Sequence, residues 1–377
     1  MRVFITGASG WIGSAAVDEL LAHGYDVTGL ARSDASAAAL AAKGAAVLRG
    51  DLDDLDGLRA GAEGAEAVLH LANKHDWANM AESNRAERAA VQTMLDTLAG
   101  SGRKFLLAAG VAGLAPGRPA TEQDRSSAVG PDSPRGGTEN LALDYLEKDV
   151  ASIGLRFSPT THGTGDHGFI AAVVAAAQRT GTSAHVGDGG NAWAAVHVSD
   201  AARMIRLGLE KAPAGSLLHA VGETAVPTRD IAAAIGAGLG LSVSSVDADD
   251  AIDHFGFIGA FFRMDLRATA DATRELLGWS PTGPTLLEDI AAGAYFPVWS
   301  RSSSTAAGGH AWRARPYGVT GVPAPTTRPV TAVINFACAH ELVDCCPIRH
   351  ISGDFSRVDE VDHRGGRGVE RAARGRT

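Results

Sequence analysis

The chain predicts a doubly wound α/β fold, a parallel sheet with helices on both faces, and three observations carry that reading. Strand-length apolar runs alternate with helix-length segments from Met1 to Ser158, the first run opens into a glycine turn that leads a helix, and 377 residues at 45% hydrophobic suffice for a large core. Met1–Thr6 is the first strand, and Gly7-Ala8-Ser9-Gly10-Trp11-Ile12-Gly13 turns the chain into a helix that stops at His23-Gly24. Strand Tyr25–Ala31 precedes an alanine-rich helix, Ser36–Ala42, closed by Gly44. Strand Ala46–Arg49 leads to Asp51, helix 54–60 and strand Ala67–Leu71. A longer helix, 79–100, then precedes strand Lys104–Ala108, a Gly/Pro-rich loop to about residue 137, helix 138–152 and strand Leu155–Ser158.

The second half is less regular. Helix Phe169–Thr180, strands near 183–186 and 194–198, helix 200–212 capped by Ser199, strand 216–221 and helix 229–239 capped by Thr228 form a smaller C-terminal substrate lobe. This lobe is interleaved with the sheet domain from about residue 160 to 297 and closes over the sheet's carboxyl edge. From Trp299 onward the pattern gives way to Ser300-Arg301-Ser302-Ser303-Ser304-Thr305, scattered Pro and Gly, and an Arg/Gly-rich end, so residues 298–377 read as an irregular tail of little fixed structure. Its apolar island, Val330–Ala339, has no evident partner. An appendage, a frame-shifted readthrough and a partner-binding segment all fit it.

Charge divides the chain the same way. The net charge is −9, but residues 298–377 hold 11 Arg against 7 acidic residues, a surplus of +4 that leaves −13 on the body. A chain of net charge −9 and pI near 5.8 does not invite nucleic acid or an anionic membrane surface, and small-molecule partners are the expectation. No apolar run approaches the roughly 20 residues of a membrane span, and no basic-then-apolar leader opens the chain, so a cytoplasmic protein is expected. Cys338, Cys345 and Cys346 all lie in the tail, odd in number and without paired Cys-x-x-Cys spacing, which supports neither a disulfide framework nor a metal site.

The motif with the most chemistry is Thr6-Gly7-Ala8-Ser9-Gly10-Trp11-Ile12-Gly13, where glycines permit a tight turn and let a pyrophosphate approach the helix N-terminus. Gly7, Ser9, Gly10, Trp11, Ile12 and Gly13 are therefore candidate dinucleotide contacts. An NAD-binding chain places a carboxylate at the end of the second strand for the adenosine ribose, whereas this one reads Leu30-Ala31-Arg32-Ser33. Arg32 suits a 2′-phosphate and Ser33 adds a hydroxyl, so NADP(H) is preferred and NAD(H) is the second choice. Asp51 and Leu52 fall where an adenine would lie, Leu71 and Ala72 nearer the nicotinamide.

These features resemble the extended and atypical members of the short-chain dehydrogenase/reductase superfamily, grouped as NAD(P)-dependent epimerase/dehydratase-like proteins of Rossmann fold. The likeness covers about residues 1–297. It rests on the pattern at 6–13, Gly50-Asp51-Leu52, His70-Leu71-Ala72, Leu155-Arg156 with Pro159 and His162-Gly163, and Val196-His197-Val198-Ser199-Asp200. It implies chemistry on a carbonyl or alcohol, with a possible homodimer formed through helices corresponding to 79–100 and 138–152.

The resemblance also implies a tyrosine acid/base, a lysine four residues later and a serine or threonine, and this chain departs from all three. The tyrosine slot falls on Arg135 and the lysine slot on Glu139, and no hydroxyl follows the strand ending Ala108-Ala109-Gly110 until Thr121. Arginine delivers no proton at neutral pH. Tyr145 and Lys148, three apart, read as helix-surface or core residues.

The remaining polar groups near the carboxyl edge are Lys74, His75 and Asp76, and then His162, Asp166 and His167. His162 and His167 lead as proton carriers, Asp166 as the group orienting one of them, and Lys74 or Arg135 as a binder of anions or a polariser of a carbonyl. His197 reads as structural, Trp193 and Asn191 as part of a flexible glycine loop able to cover a substrate, and Phe255 to Phe262 as lobe core. Three functions fit: an oxidoreductase without the usual dyad, a non-catalytic NADP(H)-binding redox sensor, and an epimerase or dehydratase that recycles its cofactor. Limited proteolysis is expected to trim the tail and leave a stable core ending near Phe296; equal survival of tail and core would contradict the division at 298.

Overall fold

The computed structural model describes residues 1–74 and 79–296. The readings on His75, Asp76, the tail, its cysteines and its apolar island lie outside the described residues.

Seven parallel strands form the main sheet. β1 (Arg2–Thr6), β2 (Asp26–Ala31), β3 (Ala46–Arg49), β4 (Ala67–His70), β5 (Lys104–Gly110) and β6 (Ala151–Phe157) come first in the chain. The short strands β7 (Thr160–His162), β8 (Ser183–Val186) and β9 (Ala192–His197) follow, and β10 (Leu217–Ala220) returns to complete the sheet in the order β10-β6-β5-β4-β1-β2-β3. The order reverses at β1, so the crevice between the β1 and β4 ends is the topological switch point where open α/β sheets bind ligands.

Both faces are covered, which is why the central strands are apolar without alternation. On one face α1 (Trp11–Ala22) and α7 (Val198–Lys211) bury Ala16, Val17, Leu20, Met204 and Ile205 against Val3 and Ile5. On the other, α3 (Leu55–Glu63), α4 (Met80–Leu98) and α5 (Thr138–Asp144) pack Leu58, Val91, Met94 and Leu141 on Phe4 and Phe105. The outer strand β2 leads into α2 (Asp34–Lys43), whose Leu40 is buried.

The lobe has its own core around Ile170, Val173, Trp193, Ile231, Phe255, Phe262, Leu286 and Ile290. It is built from α6 (Phe169–Thr180), α8 (Thr228–Leu239), α9 (Ala251–Phe255), α10 (Gly259–Phe262) and α12 (Leu286–Ala291), with β11 (Glu223–Pro227) and β12 (Val243–Val246), whereas α11 (Asp271–Leu277) packs on α7 and β10 and buries Leu277 in the sheet-domain core. Its strands form two small sheets, β11-β9-β7 and β12-β8. The chain leaves the lobe through α7 and β10 and re-enters it at β11, so lobe and sheet are interleaved.

Four expectations need correction. The helix expected over 138–152 ends at Asp144, passes through a 3-10 turn at Tyr145–Lys148, and is stopped by Asp149 at φ 54° so that β6 can pair with β5 from Ala151. α7 begins at Val198 with the His197 ring as its cap, Nδ1 accepting from the Ser199 amide at 3.3 Å, in place of a Ser199 cap. Thr228 does not cap α8 either; its hydroxyl donates to Asn191 Oδ1. Finally, 187–193 is no loose cover: Trp193 is fully buried in β9, and Asn191 Nδ2 donates to the Phe262 and Met264 carbonyls.

One buried ion pair ties the sheet to α5. The fully buried Arg156 guanidinium of β6 donates to both Glu139 carboxylate oxygens, at 2.8 and 2.6 Å, and to the Asp124 carbonyl at 2.7 Å. Removing one partner strands a charge in a dry interior, so Glu139→Ala is expected to cost about 3–5 kcal/mol in urea unfolding, most of it recovered by Glu139→Leu with Arg156→Met. An unfolding midpoint unchanged in Glu139→Ala would refute this.

Candidate functional site

The glycine turn is fixed by contacts that admit no side chain. Gly7 sits at φ 69°, and a Cβ there would lie 2.7 Å from the Ala72 amide nitrogen, while one on Gly13 would lie 2.0 Å from the Gly7 carbonyl oxygen. The Gly10 amide closes the turn on the Gly7 carbonyl at 2.9 Å, and as the N-cap of α1 it offers no side chain to the helix's first amides. Those amides are left for an outside acceptor, the geometry an anion such as a pyrophosphate needs. Ser9 is exposed beside them, and Ile12 packs against the core. Trp11 has a second task, since its Nε1 donates to the Thr161 carbonyl at 2.7 Å and ties α1 to β7.

At the β2 end, Arg32 is exposed and Ser33 caps α2, its Oγ accepting from the Ser36 amide at 3.1 Å. The β2–β3 register sets Ala31 opposite Arg49, whose Nη1 donates to the Ser33 carbonyl at 2.6 Å and whose Nη2 lies 3.0 Å from Asp34. Sequence reading missed Arg49, because only strand pairing brings it beside Arg32. Asp51 is exposed and accepts the Asp53 amide at 2.9 Å, while Leu52 is buried with Leu30 and Leu58. Leu71 packs on the core, and the Ala72 amide faces the Thr6 hydroxyl at 3.4 Å. The Lys74 ammonium is already engaged, 2.8 Å from each Asp53 oxygen.

Beneath the β1 and β4 ends lies a buried chain of polar groups that the sequence did not reveal as a unit. The Thr6 hydroxyl and His70 Nδ1 are 2.7 Å apart, and His70 Nε2 lies 3.5 Å from Glu87, a carboxylate 1% exposed on α4. Glu87 accepts from Asn73 at 3.0 Å and from Arg135 Nη2 at 2.5 Å, and Arg135 Nη1 donates to the Ala108 carbonyl at 2.5 Å. Burial alone would push the Glu87 carboxyl up, but the Arg135 charge and the His70 contact override it and hold it at about 2. The residue in the tyrosine slot is thus paired with Glu87, and that in the lysine slot with Arg156. Tyr145 is buried elsewhere, its hydroxyl donating to Asp96 at 2.5 Å.

The other histidines part company. His162 is in β7, fully buried, with Nδ1 2.6 Å from Asp289 of α12, and Nε2 without a hydrogen-bond partner. Burial pulls its pKa down against the opposing pull of Asp289, so the ring is neutral at pH 7. Asp289, not Asp166, orients it. Asp166 accepts the Tyr295 hydroxyl at 2.7 Å and the Gly168 amide at 2.7 Å, which fixes the 163–168 loop; burial raises its carboxyl above the ordinary value. His167 is exposed, edge-on to Trp11 with ring centres 6.2 Å apart.

A model of the NAD dependent epimerase/dehydratase family matches residues 3–219. This chain belongs to that family. Uncharacterized proteins of Saccharomyces cerevisiae and Schizosaccharomyces pombe are 44% and 39% identical to it, each over 78% of this chain and 98% and 100% of their own lengths. Among solved structures the fold is similar to that of the dTDP-glucose 4,6-dehydratase of Streptomyces venezuelae, solved with NAD bound, at a TM-score of 0.62 and 24% identity over 78% of this chain and 96% of that one. No described helix is long and apolar enough to cross a membrane.

Glu87 carries a pH signature. Its folded pKa of about 2, against 4.5 unperturbed, contributes about 3 kcal/mol that is complete above pH 4.5 and lost as pH falls from 4.5 through 2. Glu87→Gln is therefore expected to lower stability at pH 7 by about that amount, with the wild-type advantage vanishing towards pH 2 in urea titrations. An advantage independent of pH would show that the carboxylate is not what stabilises.

Proposed function

We propose that this protein is an NADP(H)-preferring oxidoreductase acting on a small carbonyl or alcohol substrate without a tyrosine acid. The observation that carries the reading is the uncapped N-terminus of α1 inside a turn where Gly7 and Gly13 leave no room for a Cβ. The first amides of α1 and the Ser9–Ile12 backbone would hold the pyrophosphate. Arg32, joined by Arg49 and the Ser33 hydroxyl, would take the 2′-phosphate, Asp51 and Leu52 the adenosine, and Leu71 and Ala72 the nicotinamide side. When bound, the dinucleotide supplies the hydride chemistry.

The rest falls to this chain's side chains. Arg135 and ionised Glu87 have no proton to give at neutral pH, so the proton exchanged with the substrate oxygen passes through the 162–167 segment. His167 is the exposed member, edge-on to the Trp11 ring, and is assigned the transfer. The enclosed His162–Asp289 pair and the Asp166–Tyr295 bond hold that segment in place. Lys74, bound to Asp53, steadies the β4 loop. A cytoplasmic homodimer is the setting in which we place this activity.

Calorimetric titration with NADPH, NADP+, NADH and NAD+ tests the cofactor half. NADPH is expected to bind best, and Arg32→Asp to weaken it by roughly 10- to 100-fold, the scale of a lost charge-assisted contact. NADPH oxidation over a carbonyl panel tests the rest, with His167→Gln expected to lower kcat by about 100-fold or more. Binding without turnover or product would make the protein a sensor; product without net NADPH loss would make it an epimerase or dehydratase. If no dinucleotide binds, the reading fails.

A further inference from the structure

Arg135 is presented to the sheet edge by an unusual backbone. It lies at φ 53° and ψ 25°, one of two described residues other than glycine with positive φ, and Gly136 and Gly137 continue the left-handed run at φ 62° each. A left-handed conformation costs a residue with a Cβ about 1–2 kcal/mol. The turn cannot relax through its neighbours: a Cβ on Gly136 would lie 2.6 Å from the Asn84 carbonyl oxygen, and Asn84 Oδ1 accepts the Arg135 amide at 2.9 Å. Strain of this kind persists where the surroundings over-determine it, and it aims the guanidinium at the carboxyl ends of β4 and β5.

The protein contains its own control for a purely structural Arg–Glu pair. Arg156 is 0% exposed, and its Nε, Nη1 and Nη2 all donate to protein acceptors. The Arg135 side chain stays 33% exposed although its partner Glu87 is 1% exposed, and its Nε is buried without an acceptor. Of five N–H donors, the hydrogen bonds to Ala108 and Glu87 use two. Glu87 is meanwhile occupied by Arg135, Asn73 and the neighbouring His70, an arrangement that orients the guanidinium from behind and leaves the second N–H of each Nη group to a ligand.

From this geometry we infer that Arg135 receives a carboxylate of the substrate, so that the substrates are oxo acids and hydroxy acids, not neutral aldehydes, ketones and alcohols. The group is planar and permanently charged, with no proton to transfer, and its donor fork matches the two oxygens of a carboxylate. This rests on the oxidoreductase reading for the reacting carbonyl and adds what anchors it. Arg135 thereby binds and orients substrate in the slot where the sequence reading looked for an acid.

The test compares acids with neutral isosteres on the full-length protein, with and without saturating NADPH. The probes are oxamate against oxamide and, for a larger site, benzoylformate against benzoylformamide. At least one acid is expected to bind tenfold or more tighter than its amide and to shift the Arg135 Nε–H signal in nitrogen-15 NMR. Because removing Arg135 alone leaves Glu87 buried and unpaired, the variant is Arg135→Gln with Glu87→Gln, which is expected to abolish the discrimination while keeping NADPH affinity; Arg135→Lys should retain part of it. Equal binding of acid and amide, binding of neither, or discrimination that survives the double variant would overturn the inference. Failure of NADPH to bind overturns the cofactor reading instead, and the cofactor-free titrations still decide Arg135.

Discussion

The structure around the candidate site depends on one close approach, the packing of the Gly7 backbone against Leu71 and Ala72 where β1 and β4 end side by side. Parallel pairing of Thr6 with His70 brings these ends together, and the absence of a Cβ lets the turn pass. Two things follow from that contact. The chain enters α1 with its first amides free of any side-chain cap, and Thr6 is set against His70 so that a polar chain can run inward to Glu87 and Arg135. The uncapped helix end above and the buried charge below therefore share a single backbone constraint.

Two arginine–glutamate pairs tie α4 and α5 to the elements around them. Arg135 and Glu139 are four apart in sequence, yet they do not pair with each other: the left-handed turn at Arg135 sends its guanidinium to Glu87, while α5 carries Glu139 down to Arg156 on β6. Burying an ion pair is seldom a net gain in stability, so each has consequences mainly through what its loss would leave unpaired. The Arg156 pair is closed on all sides and locks α5 to the sheet. Its counterpart at Arg135 stays 33% exposed.

The Trp11 hydrogen bond joins the sheet domain to the lobe at the 161–168 segment, and two contacts within the lobe hold that segment. Trp11 grips the Thr161 carbonyl, Asp289 grips His162, and Tyr295 grips Asp166, so α1, β7, α12 and the residues after it converge on one stretch of chain. All three contacts span more than a hundred residues, which explains why each histidine looked like a free loop residue in one dimension and only His167 remains so in three.

The sequence by itself determined the sheet, its helices and the glycine turn, because these follow from local periodicity and from turn chemistry that only glycine satisfies. It also puts Arg135 and Glu139 at the positions where the family resemblance implies a tyrosine and a lysine. Tertiary structure decided which partners those two residues take. Whether an arginine is a solvated charge, a buried strut or an open receptor depends on which distant carboxylate reaches it, and the partners Glu87, Asp289, Tyr295 and Arg49 come from elements up to 129 residues away. Strand register, helix placement and a left-handed backbone set those meetings, and no local pattern encodes them.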